Sequence, residues 1–359
     1  MGEIPGLAQN LFEDKDIDSD GIALELMPYN LEPYNVPESH AYGKCRLVTD
    51  FEKISYIGEG AYGSVFKCKD KKYDLIVALK KLRIRHEDRP LPRNFMREIT
   101  IMKELQHDNV ATLIGIAVGR NFASTYLILE YYPYDLSKII DDAVAKPFIL
   151  HPEIKCIIIQ LLYGLDYIHH HNVLHRDLAV SNILFSDIGV LKISDFGCSR
   201  FLGSENEEMT PNKVSRWYRA PELLFGDTKY TSAIDIWSAG CIFAELLLKE
   251  PLFKANSDNN LLSMFIETLG TPTEETWPGF KELPLLKDHE LCEQRYNKLP
   301  LKFTDQPTSC IALLHKIFVY NPEKRFSAEK CLSHPYFTEE PTACNLETLL
   351  VLLKKSEEI

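Results

Sequence analysis

The sequence predicts an α+β fold in which a small antiparallel β-sheet lobe with one main helix precedes a larger, mainly helical lobe. Between Phe51 and about Tyr132, short strand-like runs alternate with turns, as in ISYIG, SVFKC, LIVALKKL and TYLILEYY. One segment in this part, Arg93 to Leu105, instead repeats its apolar residues at helical spacing. From about Pro133 onward helical spacing dominates, for example at Pro152 to His169 and Ala233 to Leu248.

The same changes in pattern divide the chain into four segments. Residues 1–44 contain nine acidic and two basic residues and several prolines, and we expect them to form an acidic, disordered extension. Residues 45–132 form the small lobe, residues 133–337 the large lobe, and residues 338–359 a C-terminal tail. Within the tail, Leu346 to Leu353 is apolar at near-helical spacing, which predicts a helix packed on the large lobe.

The composition excludes several classes of protein. The 359 residues are 45% hydrophobic, enough for a substantial core, and the formal net charge of −12 argues against binding to nucleic acid or to an anionic membrane. No apolar run reaches the roughly 18–20 residues that span a bilayer. The nine cysteines are scattered without any Cys-x-x-Cys pair, which is typical of free thiols in a reducing compartment. We therefore expect an intracellular protein of the nucleus, the cytoplasm or both.

The first chemical motif is Gly-x-Gly-x-x-Gly, formed by Gly58, Gly60 and Gly63. Dinucleotide-binding turns use the same spacing, but there a helix directly follows the glycines. Here the strand-like run SVFKC follows, which favours a glycine-rich hairpin folded over phosphate groups. Glycines suit that role because the missing Cβ lets backbone N–H groups approach the phosphates.

The second motif is a lysine on a strand, Lys80, which ends the run Val-Ala-Leu-Lys. An ammonium group inside a lobe is costly unless it is paired, and Glu98 on the predicted helix is the obvious partner. We expect this pair to aim Lys80 at the α- and β-phosphates of a nucleotide.

The third motif combines two triplets, His175-Arg176-Asp177 and Asp195-Phe196-Gly197, with Asn182 between them. Their side chains suit a centre that binds metal and phosphate. Asp177 would orient an attacking hydroxyl group and accept its proton, while Asn182 and Asp195 would hold Mg²⁺ against a triphosphate. Magnesium takes few protein ligands, so this small set of oxygen donors is sufficient.

Together with Ala-Pro-Glu at residues 220–222, these motifs resemble the signature set of the eukaryotic protein kinases over about Phe51 to Phe337. The runs WYRAPE (217–222), LGTP (269–272) and WPGF (277–280) are similar to those of the proline-directed (CMGC) group. Within that group, the chain resembles the cyclin-dependent kinases with a PISSLRE-type helix. A mitogen-activated-kinase-like enzyme is an alternative, although the Thr-x-Tyr typical of that class does not occur between Gly197 and Pro221.

The resemblance implies a bilobal protein kinase fold and a protein serine/threonine kinase that uses ATP and Mg²⁺. Its substrates would be proteins with serine or threonine followed by proline, and the helix segment Pro92–Glu98 would bind a cyclin-like activator. Adenine would lie between Val65 and Ala78 on one side and Leu184 on the other, with Leu129 as gatekeeper. The full set of implied ATP contacts is Ile57, Gly58, Glu59, Gly60, Ala61, Tyr62, Gly63, Ser64, Val65, Ala78, Lys80, Leu129, Glu130, Tyr132 and Leu184.

The resemblance also implies regulatory and substrate-binding positions. Arg97, Arg176 and Arg200 would form a cage for a phosphate on Thr210, because three guanidinium groups repel one another until an anion joins them. Tyr62 is a second implied regulatory phosphosite. The pocket for the proline after the phosphorylated residue would involve two further positions, Val214 and Arg219.

Four more residues are implied to be structural. Asp235 would anchor the backbone of the catalytic loop from the helix below it, and Glu222 would pair with Arg325. His175 is better interpreted as a packed residue than as a general base.

The main departure from the family pattern is Ala179, where serine/threonine kinases carry a lysine that contacts the γ-phosphate. Loss of one charge-assisted contact is worth about 1–3 kcal/mol, which predicts slower transfer rather than none. The alternative is a pseudokinase or scaffold that binds nucleotide with little turnover.

Overall fold

The computed structural model describes residues 25–26, 34–35, 45–60, 63–83, 92–119, 124–145, 149–203, 215–289 and 291–355. Apart from a short antiparallel pair, β1 (Glu25–Leu26) and β2 (Tyr34–Asn35), the predicted acidic extension lies outside these residues. The chain forms two compact units: unit 1 comprises residues 1–87 and 114–129, and unit 2 comprises residues 88–113 and 130–359.

Unit 1 is built on a six-stranded sheet with the order β3-β7-β8-β6-β5-β4. Its consecutive strands β4, β5 and β6 pair antiparallel, whereas β3 pairs parallel with β7 at one edge. The strands are β3 (Arg46–Leu47), β4 (Phe51–Gly60), β5 (Gly63–Asp70), β6 (Leu75–Leu82), β7 (Leu113–Val118) and β8 (Thr125–Glu130).

Alternation along these strands explains the core of unit 1. Successive side chains of a strand point to opposite faces, so every second residue of β5 from Phe66 onward is buried, whereas β6 is buried on both faces from Val77 to Lys80. The resulting cluster consists of Phe51, Phe66, Cys68, Val77, Leu79, Ala117, Tyr126 and Ile128, each at most 2% exposed. At the edge of the sheet, the Arg46 guanidinium binds both carboxylate oxygens of Asp70 and lies 4.3 Å from the centre of the Phe51 ring. These contacts fasten the short parallel strand β3 to the sheet.

Unit 2 is mainly helical. Its helices are α1 (Arg93–Glu104), α2 (Leu136–Ala145), α3 (His151–His170), α4 (Pro221–Leu224), α5 (Ala233–Leu248), α6 (Asp258–Leu269), α7 (Leu299–Lys302), α8 (Thr308–Ile317), α9 (Ala328–Leu332) and α10 (Leu346–Lys355). Its strands are β9 (Tyr134–Asp135), β10 (Val173–Leu174), β11 (Ile183–Phe185), β12 (Leu191–Ile193) and β13 (Arg200–Phe201). They form a three-stranded sheet, β12-β11-β9, and a separate pair, β10-β13.

Helix α5 is the centre of unit 2. Because it is apolar on all sides, residues 233–246 are buried throughout, as expected of a helix inside a large core. Trp237 of α5 packs edge-on against Phe265 and Phe318, with ring centres 5.1 Å apart in both pairs. The core of unit 2 therefore lies around the helix that also carries Asp235.

Several predictions from the sequence are confirmed. The predicted helices begin and end within two residues of α1, α3 and α5, and α10 packs against α3 through the buried side chains Leu349 and Leu353. The structure describes all nine cysteines, and each is a free thiol. Within the described part of the chain, none of the helices has the length and apolar character that crossing a membrane requires.

Candidate active site

The three glycines lie where strands β4 and β5 form a hairpin, with Gly60 opposite Gly63. Since a strand and not a helix follows the glycines, the dinucleotide-turn interpretation is wrong and the hairpin prediction is confirmed. A Cβ on Gly63 would lie 1.8 Å from the carbonyl oxygen of Lys81, so only glycine fits between these strands. A Cβ on Gly58 would meet none of the described residues within 4 Å, which leaves space beside that backbone. Ala61 and Tyr62, at the tip, lie outside the described residues.

Lys80 lies on β6 directly opposite Val65 of β5, and its side chain is buried. Ala78, two residues earlier on the same strand, is also buried. Glu98 is a buried residue of α1 in unit 2. The ion pair between Lys80 and Glu98 stays a prediction.

A tyrosine fixes the segment that the sequence assigns to the adenine edge. The Tyr132 hydroxyl donates to Glu130 Oε2 at 3.0 Å and accepts the backbone N–H of Thr112 at 3.1 Å. Burial raises the pKa of Tyr132 to about 12, so the hydroxyl keeps its proton at neutral pH. The backbone N–H of Glu130 also donates to the Thr112 carbonyl at 3.2 Å. Sequence reasoning assigned only the backbone of this segment and missed the role of the phenol.

Residues 175–182, which carry Asp177 and are called the catalytic loop, follow β10 and end in a short 3-10 turn, Val180–Asn182, before β11. The side-chain amide of Asn182 donates to the backbone carbonyl of Asp177 at 2.7 Å. Its backbone N–H donates to the carbonyl of Ala179 at 3.0 Å, which closes the turn. Since the amide nitrogen makes the bond to Asp177, the amide oxygen remains the donor atom that Asn182 can offer to a metal ion.

The Asp177 carboxylate has a partner that the sequence analysis does not name. Ser215 donates to Asp177 Oδ1 twice, from its backbone N–H at 2.9 Å and from its hydroxyl at 3.0 Å. These two bonds fix one carboxylate oxygen and hence the orientation of the other. Because the two residues are 38 positions apart, no local pattern in the sequence connects them.

The hairpin β11-β12 brings Asp195 back to the catalytic loop. Ile183 pairs with Ile193, and Ser194 donates to the carbonyl oxygen of Asn182 from its backbone N–H at 2.9 Å and its hydroxyl at 3.0 Å. Asp195 itself has a left-handed backbone (φ 61°), and its Oδ1 accepts the N–H of Gly197 at 3.3 Å. Asn182 and Asp195 thus supply amide and carboxylate oxygens from adjoining segments, and this donor set fits the hard oxygen ligands that Mg²⁺ prefers.

His175 is a structural residue, as the sequence analysis expects. It is fully buried, and its ring packs edge-on against Phe196 with centres 5.1 Å apart. Its Nε2 lies 2.9 Å from the carbonyl oxygen of Ser194, which can only accept, so Nε2 carries the proton. Nδ1 then accepts the weaker N–H···N contact from Asp177 at 3.4 Å. Because both ring nitrogens already make contacts, the His175 ring is not available as a general base.

Asp235 holds the catalytic loop from α5, which confirms the prediction for this residue. Its two oxygens accept the backbone N–H groups of His175 and Arg176, each at 2.9 Å, and His169 Nε2 lies 3.0 Å from Oδ2. Burial raises the pKa of Asp235, but the His169 contact and the backbone donor outweigh it and leave the pKa below its ordinary value. The anchored loop includes Arg176 in a left-handed conformation, with φ at 71°.

The three cage arginines all belong to unit 2. Arg176 and Arg200 are buried, Arg200 pairs with Leu174 across β10 and β13, and α1, which carries Arg97, packs against β13. The Arg176 guanidinium lies 5.6 Å from the centre of the Tyr230 ring, a neighbour that sequence reasoning missed. Thr210 lies outside the described residues, so the phosphate that this cage would bind stays a prediction.

Two further arginines order the segment around Ala-Pro-Glu. Arg325 forms a buried double hydrogen bond with Glu222, at 2.7 and 2.9 Å, which confirms the predicted pair. Arg219 is buried and binds Asp258 of α6 at 3.2 Å, a contact that the sequence analysis did not predict. Val214, the other residue of the implied proline pocket, lies outside the described residues.

Comparisons with known proteins find matches over the residues that carry these side chains. A family model described as the protein kinase domain matches residues 51–337. Human cyclin-dependent kinase 10 is 42% identical over 316 residues, covering 88% of this chain and 87% of its own length. Cyclin-dependent kinase 11 of Dictyostelium discoideum is 44% identical over 300 residues, covering 84% of this chain and 83% of its own. Human cyclin-dependent kinase 11A is 42% identical over 320 residues, covering 88% of this chain but 40% of its own.

Proposed function

The chain belongs to the protein kinase family as a cyclin-dependent-kinase-like serine/threonine kinase, and from this premise we propose that it phosphorylates serine or threonine residues that are followed by proline. The observation that carries the catalytic part is the hydrogen-bonded set around Asp177, in which Asn182 binds its carbonyl and Ser215 binds its carboxylate. A carboxylate with one oxygen fixed presents the other in a defined direction. Such a group can orient a substrate hydroxyl and accept its proton.

The phosphate chain of ATP is the second half of the proposal. The backbone of Gly58, Gly60 and Gly63 would face the phosphates, and Lys80, with Glu98 as its partner, would bind the α- and β-phosphates. The open space beside Gly58 supports this role, since a phosphate can approach the backbone there. The Tyr132 bonds support a fixed backbone edge for adenine. The apolar contacts of adenine would be Val65, Ala78, Leu129 and Leu184.

Asn182 and Asp195 would hold Mg²⁺. When bound, the ion neutralises charge on the phosphate groups during transfer. The side chains of this chain orient the acceptor hydroxyl through Asp177 and keep the two oxygen donors together through the Ser194 bonds.

Regulation would follow the pattern of the cyclin-dependent kinases. A phosphate on Thr210 would join Arg97, Arg176 and Arg200, and a cyclin-like partner would bind the helix segment that begins at Pro92. The burial of Arg176 and Arg200 supports the cage, because buried guanidinium groups favour an anion nearby.

The pseudokinase alternative rests on Ala179, which is 2% exposed and contributes no charge. Every other charged or amide group of the family set is present in the sequence: Lys80, Glu98, Asp177, Asn182 and Asp195. We therefore favour an enzyme that turns over more slowly than a lysine-bearing relative.

A peptide assay tests the proposed specificity. The enzyme is co-expressed with candidate cyclins, and its transfer of labelled phosphate is measured on two peptides that differ in one residue, Ser-Pro and Ser-Ala. We expect a several-fold higher kcat/KM for the Ser-Pro peptide. Equal kcat/KM for the two peptides contradicts proline-directed specificity, and no transfer to either under any of these conditions favours the pseudokinase.

A further inference from the structure

The segment that carries Arg219 is tied to the start of helix α6 by three side chains. Trp217 Nε1 donates to the Ala255 carbonyl at 2.9 Å, and Arg216 Nη1 donates to the Asn256 carbonyl at 3.0 Å. The third tie is Asp258, the first residue of α6. These bonds join residues 216–219 to residues 255–258, which are close to 40 positions away along the chain.

Asp258 accepts hydrogen bonds from both arginines of this segment. Its Oδ1 accepts from Arg216 Nε at 2.9 Å and from Arg219 Nη1 at 3.2 Å, and its Oδ2 also lies 3.2 Å from Arg219 Nη1. The side chain of Arg219 is 7% exposed, whereas those of Arg216 and Asp258 are each 41% exposed. A buried guanidinium depends on its anion more than an exposed one does, so this carboxylate matters most for the orientation of Arg219.

The position of Asp258 in its helix makes it a firm support. Ser257 caps the helix by accepting the N–H of Asn260 at 3.1 Å, so the backbone beside Asp258 is fixed. A carboxylate in the first turn is also stabilised by the partial positive charge at a helix N-terminus. The capped helix α6 therefore fixes the backbone of Asp258, and the Asp258 carboxylate in turn orients Arg219.

We propose that Asp258 is a positioning residue for substrate specificity, which holds Arg219 in the orientation that shapes the pocket for proline after the phosphorylated residue. This inference rests on the proline-directed function proposed above. Asp258 does not act on the phosphate that is transferred. Its loss lowers the preference for proline and leaves phosphate transfer to other acceptors in place.

The test compares Asp258→Asn with the wild-type enzyme on the Ser-Pro and Ser-Ala peptides. We expect kcat/KM for Ser-Pro to fall roughly 3- to 10-fold, mainly through KM, because the replaced contact is partly exposed. The value for Ser-Ala and the KM for ATP should stay within about twofold, since neither involves Arg219. Asp258→Glu, which keeps the charge, should recover most of the preference.

Two variants make the result specific. Glu267→Gln removes an exposed carboxylate from the same helix and should leave both peptides unaffected. If Asp258→Asn is not recovered as folded protein, Arg219→Lys is tested in its place. Lysine keeps the positive charge but lacks the planar guanidinium that binds a carboxylate with two donors, so this variant should show the same loss of preference for proline.

Each outcome separates the two proposals. A wild-type enzyme without preference for Ser-Pro overturns the proline-directed function and this inference together. A wild-type enzyme with the preference, and Asp258→Asn that retains it, overturns the role of Asp258 alone. An equal fall on both peptides also overturns it, because it indicates a general defect in structure or catalysis.

Discussion

The glycine-rich hairpin of unit 1 presents backbone groups and open space to a ligand. The catalytic loop of unit 2 instead presents side chains that are each held by hydrogen bonds. Among the residues that the structure describes, none lies within 4 Å of a Cβ position on Gly58, and Ile57 beside it is 47% exposed. By contrast, Asp177, Asn182 and Asp235 all make bonds of 3.0 Å or less.

The contrast follows from the groups that each part uses. Backbone N–H groups are oriented by the strand itself, so the hairpin needs small residues more than it needs partners. A carboxylate on a rotatable side chain must be oriented by its neighbours, and an error of about 1 Å can cost on the order of 10²-fold in rate. Substitutions in the catalytic loop should therefore have larger effects than those in the hairpin, apart from Gly63.

After Asp177→Asn, the largest effect is expected for Asp195→Asn, which removes a charged oxygen donor of the proposed Mg²⁺ site. We expect kcat to fall about 10²- to 10³-fold and the Mg²⁺ concentration for half-maximal activity to rise. Steady-state kinetics over a magnesium titration measure both. The matched control is Asp187→Asn, an exposed aspartate on the turn between β11 and β12; equal losses in the two variants would contradict the metal site.

Asp235→Asn tests the anchor of the loop. It replaces a buried acceptor of three bonds, so the free energy of unfolding should fall by about 2–4 kcal/mol near pH 7. Since the pKa of Asp235 is lowered in the folded protein, its stabilising contribution is present above its ordinary value of 3.8 and is lost as the pH falls through the folded value.

The Tm of Asp235→Asn should therefore lie well below that of the wild-type protein near neutral pH, and this difference should become small below about pH 4. Thermal melts followed by circular dichroism between pH 3 and pH 7 measure it. A difference that does not change with pH would show that the charge of Asp235 contributes nothing.

The two glycines of the hairpin provide a matched pair within unit 1. Gly63→Ala places a Cβ against the Lys81 carbonyl and should lower the free energy of unfolding by about 1–3 kcal/mol. In Gly58→Ala the new Cβ has none of the described residues within 4 Å, so the free energy of unfolding should fall by less than about 1 kcal/mol. The KM for ATP should rise roughly 2- to 3-fold. Denaturant melts and ATP titrations distinguish the two, and equal destabilisation would mean that the hairpin does not pack as described.

One substitution is expected to raise activity rather than to lower it. Ala179→Lys restores a charge that the family places near the γ-phosphate, and kcat should rise about 5-fold. Ala179→Gln is the control, because it brings a long side chain to the same buried position without the charge. An unchanged or lower kcat in Ala179→Lys, matching Ala179→Gln, would mean that the missing lysine does not limit turnover.

Much of this molecule could be predicted from local patterns. Helix α5 begins and ends where the spacing of apolar residues indicates, and the hairpin follows from the strand-like run after Gly63. Motifs also point to Asp177 and Asn182, five residues apart, and the structure joins them through a hydrogen bond, while their roles in catalysis stay predictions. These predictions succeed because the interactions that decide them lie within a few residues.

Supporting contacts could not be predicted in the same way. Ser215 binds Asp177 across 38 positions, Asp258 binds Arg219 across 39, and Tyr132 binds Thr112 across 20. Such pairs form only when helices and loops pack, and neither member carries a distinctive pattern of its own. The roles of Thr210, Val214 and Tyr62 stay predictions, since these residues lie outside those that the structure describes.

The most direct test of the central claim is transfer of the labelled γ-phosphate of ATP by the enzyme co-expressed with the candidate cyclins and by its Asp177→Asn variant, with Asp187→Asn alongside. The account predicts transfer by the wild-type enzyme and by Asp187→Asn, and a loss of about 10²- to 10⁴-fold in Asp177→Asn. Equal transfer by the wild-type enzyme and Asp177→Asn would contradict it.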